Sequence, residues 1–220
     1  MTIEDFQKFF SSSRVSRFLT ATNNSTNRAI ELYKANLLTA QAFHPLLGIL
    51  EVALRNRLND ALTVHFSDPD WIINQKTGFM NDPYQTYLLS SVNKAENRLS
   101  YTTITSGKII AEQTLGFWTE LFVKHYYKLL LGTPIKAFSN LPTGYGRKKI
   151  RHELENIRLF RNRINHNEPI CFLGTSINFT ETLNTYKSII NIVTWIDPEL
   201  VTFTNNLDNV NITIDNAKKI

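Results

Sequence analysis

The chain has 220 residues, of which 42% are hydrophobic and 20% charged, so a disordered polyelectrolyte is excluded and one globular domain, or two small ones at most, fits the length. A single cysteine, Cys171, excludes an internal disulfide framework and a cysteine-rich zinc site. The formal net charge is +5, and its location carries more information than its size.

In chain order, apolar residues at helical spacing predict a helix over Glu4 to Leu19. Ser25 or Thr26 caps a second helix running to about Phe43, and Pro45 opens a third, from about Leu46 to Phe66. Ser67-Asp68-Pro69-Asp70 breaks the chain, with Asp68 and Asp70 read as turn residues rather than metal ligands. Asp82-Pro83 opens a fourth helix to about Tyr101, and Gly107 begins a short turn. Thr114 to Leu131 reads as one aromatic-rich helix ended by Gly132 and Pro134. Tyr145 to His166 reads as a long basic helix, limited by Glu168-Pro169. Ser176 to Ile196 is the final helix, the core spans about 26–196, and the tail is expected to fray. Alternation of apolar and polar residues is scarce, its best instance being Val210 to Ile214. The expectation is an all-α single domain over 1–220, a bundle of roughly six to eight helices.

The segment Met1 to Phe10 carries Glu4 and Asp5 without a long apolar core, so no secretory signal is expected. No charge-free apolar run reaches spanning length, so no membrane partner is expected and the cytoplasm is the expected location.

Between Arg147 and His166 lie seven basic residues, Arg147, Lys148, Lys149, Arg151, Arg158, Arg161 and Arg163, against the acids Glu153 and Glu155. The rest of the chain carries 17 residues of each sign and is neutral. Such a stripe reads either as a footprint for RNA, with these residues and Asn165 as contacts, or as a solvated helix face. At 100° per residue, Ile150, Leu154, Ile157, Phe160 and Ile164 form one apolar sector, and Arg161 falls inside it. Asn165, Arg158, Arg151, Asn162, Glu155 and His166 follow along one flank. These residue types suit phosphodiester chemistry. Imidazole exchanges protons near neutral pH, guanidinium grips two phosphate oxygens, and an amide orients either. RNA brings its own 2′-hydroxyl nucleophile, so a base, an acid and an anion clamp suffice without metal or cofactor.

Arg161-Asn162-Arg163-Ile164-Asn165-His166 matches the R-x4–6-H motif of HEPN domains, including the polar residue after the arginine. Leu50 to Asn56, Leu115-Gly116-Phe117-Trp118, Ile157 to His166 and Glu168-Pro169-Ile170 together resemble the Abi-like, abortive-infection family of that superfamily over about residues 30 to 195. The resemblance implies an all-helical HEPN fold and a homodimer whose two motif helices face one cleft. It also implies a metal-independent endoribonuclease, a toxin of phage defence, or a non-catalytic module binding RNA, a nucleotide or a protein. By position Arg161 and His166 would be the catalytic pair, with Asn162 as polar support. A toxic nuclease needs a neutralising RNA or protein antitoxin. Many relatives have a second histidine where this chain has Asn167.

A quieter echo lies at Leu54-Arg55-Asn56-Arg57-Leu58-Asn59-Asp60, which parallels Phe160 to His166 with aspartate in the histidine position. Glu51 and Arg55 stand four apart and can pair structurally, or Arg55 and Asn56 can line the motif cleft. Gly116-Phe117-Trp118 can stack bases, but aromatic residues at helical spacing are more often core.

Overall fold

The computed structural model describes residues 2–220. Helix accounts for 68% of the chain, in twelve α-helices among the described residues, with one two-stranded hairpin. The all-α expectation holds. The helices are shorter and more numerous than the sequence pattern suggests, except the third, which is longer.

The first predicted helix is two. α1 (Ile3–Phe10) and α2 (Ser12–Ala21) are separated by Ser11, whose φ of 64° cannot continue a helix. Thr2 Oγ1 caps α1 by accepting from Asp5 N, and Ser11 Oγ caps α2 by accepting from Arg14 N. The second and third predicted helices are one. α3 (Thr26–Phe66) runs 41 residues with Pro45 inside it. Proline there removes a backbone donor at a cost of about 3 kcal/mol. Burial of Leu46, Leu47, Leu50 and Leu54 beyond it offsets that cost. By length and composition alone α3 is apolar enough to cross a membrane, with one third of its most apolar window buried. Its scattered charges keep it from standing out as a charge-free run.

Ser67 ends α3 at φ 50°. Asp68 accepts from Asp70 N and from Asn74 Nδ2, which makes the acidic loop a turn before α4 (Trp71–Asn74). Asp82 likewise caps a turn, accepting from Tyr84 N and Gln85 N, so α5 begins only at Tyr87 (Tyr87–Arg98). Gly107 lies inside α6 (Ser106–Glu112), contrary to the predicted turn. The aromatic segment divides into α7 (Leu115–Glu120) and α8 (Lys124–Leu129), because Val123 adopts an extended ψ of 139°. A 3₁₀ turn over Thr133–Ala137 follows Gly132, whose φ of 79° suits glycine.

α9 (Arg147–Asn165) is the basic helix. A hairpin, β1 (Phe172–Leu173) with β2 (Ser176–Ile177), precedes α10 (Thr180–Ile196) and displaces its predicted start. The tail does not fray. It forms α11 (Pro198–Thr204) and α12 (Val210–Ala217). The alternation at Val210 to Ile214 is not a strand. Val210, Ile214 and Ala217 are buried at helical spacing, while Ile212 between them is exposed.

The described residues divide into two compact units, and the division runs through α3, α9, α10 and α11. One unit comprises the described residues through Gly48 with Leu159–Ile189 and Phe203–Ile220. Its core is aromatic. The Tyr33 ring lies 5.3 Å from Phe6 and 5.1 Å from Phe18, and Phe18 lies 5.1 Å from Phe172. The other unit comprises Ile49–Arg158 and Ile190–Thr202. It buries Leu54, Leu58, Leu62, Trp71, Trp118, Tyr126, Leu154 and Ile192.

Candidate functional site

α9 buries the predicted stripe, with Ile150, Leu154 and Ile157 fully covered and Phe160 and Ile164 nearly so. Phe160 meets Phe43 edge-on at 4.7 Å. The helix stops at Asn165, and its end has a defined form. His166 N–H donates to Asn162 O at 3.0 Å, Asn167 N–H to Ile164 O at 2.9 Å, and Glu168 N–H to Arg163 O at 2.8 Å. Asn167 sits at φ 51°. This is a Schellman cap with His166 at the capping position and Asn167 in the left-handed conformation. His166 and Asn165 are exposed, while Arg161, Asn162 and Arg163 are half-buried.

The segment after the cap is held from several sides. Arg14 Nη1 donates to Asn167 O at 2.8 Å, and Arg163 Nη2 donates to Pro169 O. Asn36 Oδ1 accepts from Ile170 N at 2.8 Å, and Thr182 Oγ1 donates to Ile170 O at 2.5 Å. Asn36 and Thr182 are both buried. The cap carrying His166 is therefore anchored by side chains of α2, α3, α9 and α10. None of Arg14, Asn36 or Thr182 stands out in the sequence, because each acts on a residue remote in the chain or through backbone atoms.

The basic stripe is largely engaged by the protein itself. Arg163 also lies 3.8 Å from Glu168 and 3.7 Å from Glu181. In the other unit, Arg147 Nη1 donates to Phe122 O and Arg151 Nη1 to Thr119 O, both at 2.9 Å. Arg151 and Arg158 share Glu155, at 3.3 Å and 2.5 Å. Lys149 pairs with the buried Glu153. Of the seven basic residues, Lys148 is exposed and makes none of these bonds.

These pairs perturb the acids in opposite directions. The Arg158 hydrogen bond holds the Glu155 carboxyl below its ordinary value, with burial opposing. Burial pushes the Glu120 carboxyl up, with the Arg151 charge opposing. Lys149 is raised by its bond to Glu153.

The division places Arg147 through Arg158 in one unit and Arg161 through His166 in the other. Glu51 and Arg55 are half-buried and Asn56 is exposed, all on the part of α3 that belongs with the former. The Leu115 to Trp118 segment is core, since Leu115, Phe117 and Trp118 are covered and unavailable for stacking. Gly116 admits the Tyr87 hydroxyl, which would lie 2.6 Å from a β-carbon there. Comparison with protein-family models, with curated proteins and with solved structures finds no match.

Proposed function

We propose that the chain is a metal-independent endoribonuclease of the Abi-like HEPN kind, acting as a toxin in abortive infection, with Arg161, Asn162 and His166 as its catalytic residues. The observation that carries the reading is the α9 cap. An exposed imidazole stands at its end, its backbone bonded to Asn162, with the Arg161 guanidinium little more than one turn behind. Five residues along an ideal helix separate two side chains by about 140° around the axis and about 7.5 Å along it. One helix therefore spreads the pair too widely for a single phosphate. Two motif helices facing each other in a homodimer bring the arginine of one copy to the histidine of the other.

In the reaction the ribose 2′-hydroxyl attacks the adjacent phosphorus, the bond to the 5′-oxygen breaks, and a 2′,3′-cyclic phosphate and a 5′-hydroxyl result. His166 takes the 2′-hydroxyl proton. The leaving oxygen gains a proton from the second copy's imidazole or from water. Arg161 stabilises the charge that grows on the phosphoryl oxygens. A neutralising RNA or protein partner restrains the toxin.

Labelled RNA incubated with wild type and with His166→Ala tests this, with and without EDTA. The variant should lose roughly 10²- to 10⁴-fold in rate while keeping its circular dichroism, and EDTA should change nothing. Undiminished cleavage by the folded variant removes the mechanism. A second reading, a non-catalytic HEPN module that binds RNA, a nucleotide or a protein partner, is supported by Asn167, which stands where the resemblance would place a second histidine. It predicts weaker RNA binding for Arg161→Ala and no cleavage product under any condition.

A further inference from the structure

Beside the α9 cap lies a cavity of about 600 Å³, lined chiefly by Lys8, Phe9, Phe10, Arg14, Tyr33 and Asn167. Its volume falls within the range of small-molecule sites. Its lining carries two cations and no acid. Phe10 and Tyr33 form one wall, their rings 4.8 Å apart and fixed by Phe6, which lies 5.4 Å from Phe10 and 5.3 Å from Tyr33. Phe9 is different. It belongs to the same helix yet is 65% exposed, with Lys8 Nζ 5.9 Å from its ring centroid. The left-handed Ser11 turns the chain here and starts α2, so that Arg14 reaches Asn167 O and stands at the cavity rim. Asn167 directly follows His166 in the chain.

An uncovered aromatic ring beside two cations, with aromatic residues behind, is what a nucleobase and its phosphate require. The base stacks on a π-face and the phosphate meets the charges. We propose that this pocket holds a nucleotide of single-stranded RNA flanking the one at His166, with Phe9 stacking its base and Lys8 and Arg14 meeting its phosphate. The inference rests on the RNA reading above and names a contact surface for that substrate. It commits to RNA rather than to a protein ligand because of the sign of the lining charge.

The test uses the full chain with His166→Ala as a non-cleaving background and measures anisotropy of a fluorescein-labelled oligoribonucleotide. Adding Phe9→Ala should weaken binding about tenfold or more, and Phe9→Trp should keep it. Adding Lys8→Gln should lower the slope of log affinity against log salt by about one. Phe9 is a surface side chain, so melting temperature should not move. If Phe9→Ala leaves RNA affinity unchanged while wild type still cleaves RNA, the pocket assignment fails and the nuclease reading stands. If Phe9→Ala abolishes binding but wild type never cleaves, the pocket stands and the nuclease reading fails. If Phe9→Ala changes only the oligomeric state in size-exclusion chromatography, the face belongs to a second copy, and the inference is overturned. It is overturned equally if the background protein binds no RNA.

Discussion

Arg14 in α2 donates through Nη1 to the backbone oxygen of Asn167 at 2.8 Å, joining positions 153 residues apart. The last carbonyls of a helix lack intrahelical donors, and a cation at that end also meets the negative pole of the helix dipole. The bond is exposed, so its contribution is modest. Arg14→Gln should cost about 1 kcal/mol in urea unfolding and should speed amide exchange at Asn167 and Glu168. Exchange at Asn36, within α3, should not change. Equal acceleration at both places would show that Arg14 supports the whole unit rather than the cap.

The backbone at Asn167 gives a conformational reason for asparagine at this position. At φ 51° an ordinary side chain is strained, asparagine is tolerated, and glycine fits without cost. Asn167→Gly should leave the melting temperature near wild type. Asn167→Val should lose about 1–2 kcal/mol. Asn167→His should fall between them, since histidine visits this region more readily than valine does. A valine variant as stable as wild type would remove the cap as a determinant of where His166 stands.

What the sequence made legible was the face of α9. Its apolar sector, from Ile150 to Ile164, is buried as the 100° wheel requires, because a local period reports burial on one element. The breaks were less legible. Ser11, Val123 and Asn167 end or interrupt helices through backbone angles to which no single residue type is committed. Pro45 misled in the opposite direction, because a breaker is a local signal and the buried leucines that follow it act through tertiary contacts. The basic stripe was visible as composition, but its partners were not. Glu155 is nearby in sequence, whereas the backbone oxygens of Thr119 and Phe122 that hold Arg151 and Arg147 carry no sequence signal. The Lys8–Phe9–Arg14 cavity was invisible for the same reason, since its far wall is Asn167.

Glu155 and Glu120 flank Arg151 and should respond oppositely to pH. The folded Glu155 carboxyl lies below its ordinary value of 4.5, chiefly through the Arg158 bond. Its stabilisation is therefore present above that value and is lost as pH falls through the lower, folded one. The folded Glu120 carboxyl lies above 4.5 through burial. Its ionisation opposes folding at neutral pH, and that penalty is relieved as pH falls through the raised value. Glu155→Gln should lower stability at pH 7 by about 1 kcal/mol and flatten the acid limb of a melting-temperature profile. Glu120→Gln should not lower it at pH 7 and should steepen the same limb. Parallel profiles for the two variants would contradict the opposite environments assigned to these acids.

Cys171 lies directly after Ile170, whose backbone Asn36 and Thr182 hold, and it is wholly buried. Burial pushes its thiol up to about 12, with the nearby Arg17 and Arg163 charges opposing too weakly to matter. Thiol chemistry proceeds through the thiolate, so at pH 8 the reactive fraction is on the order of 10⁻⁴ even before access is considered. Native protein should therefore resist a chromogenic disulfide reagent at pH 8 for hours, and one equivalent should react at once in guanidinium. The rate of any slow native reaction should follow opening of the β1–β2 region. Arg14→Gln should thus raise it if loosening the cap frees the segment from Pro169 to Phe172. Prompt reaction in the folded wild type would mean that this segment is not packed as described, and the anchoring of His166 through it would fall with that packing.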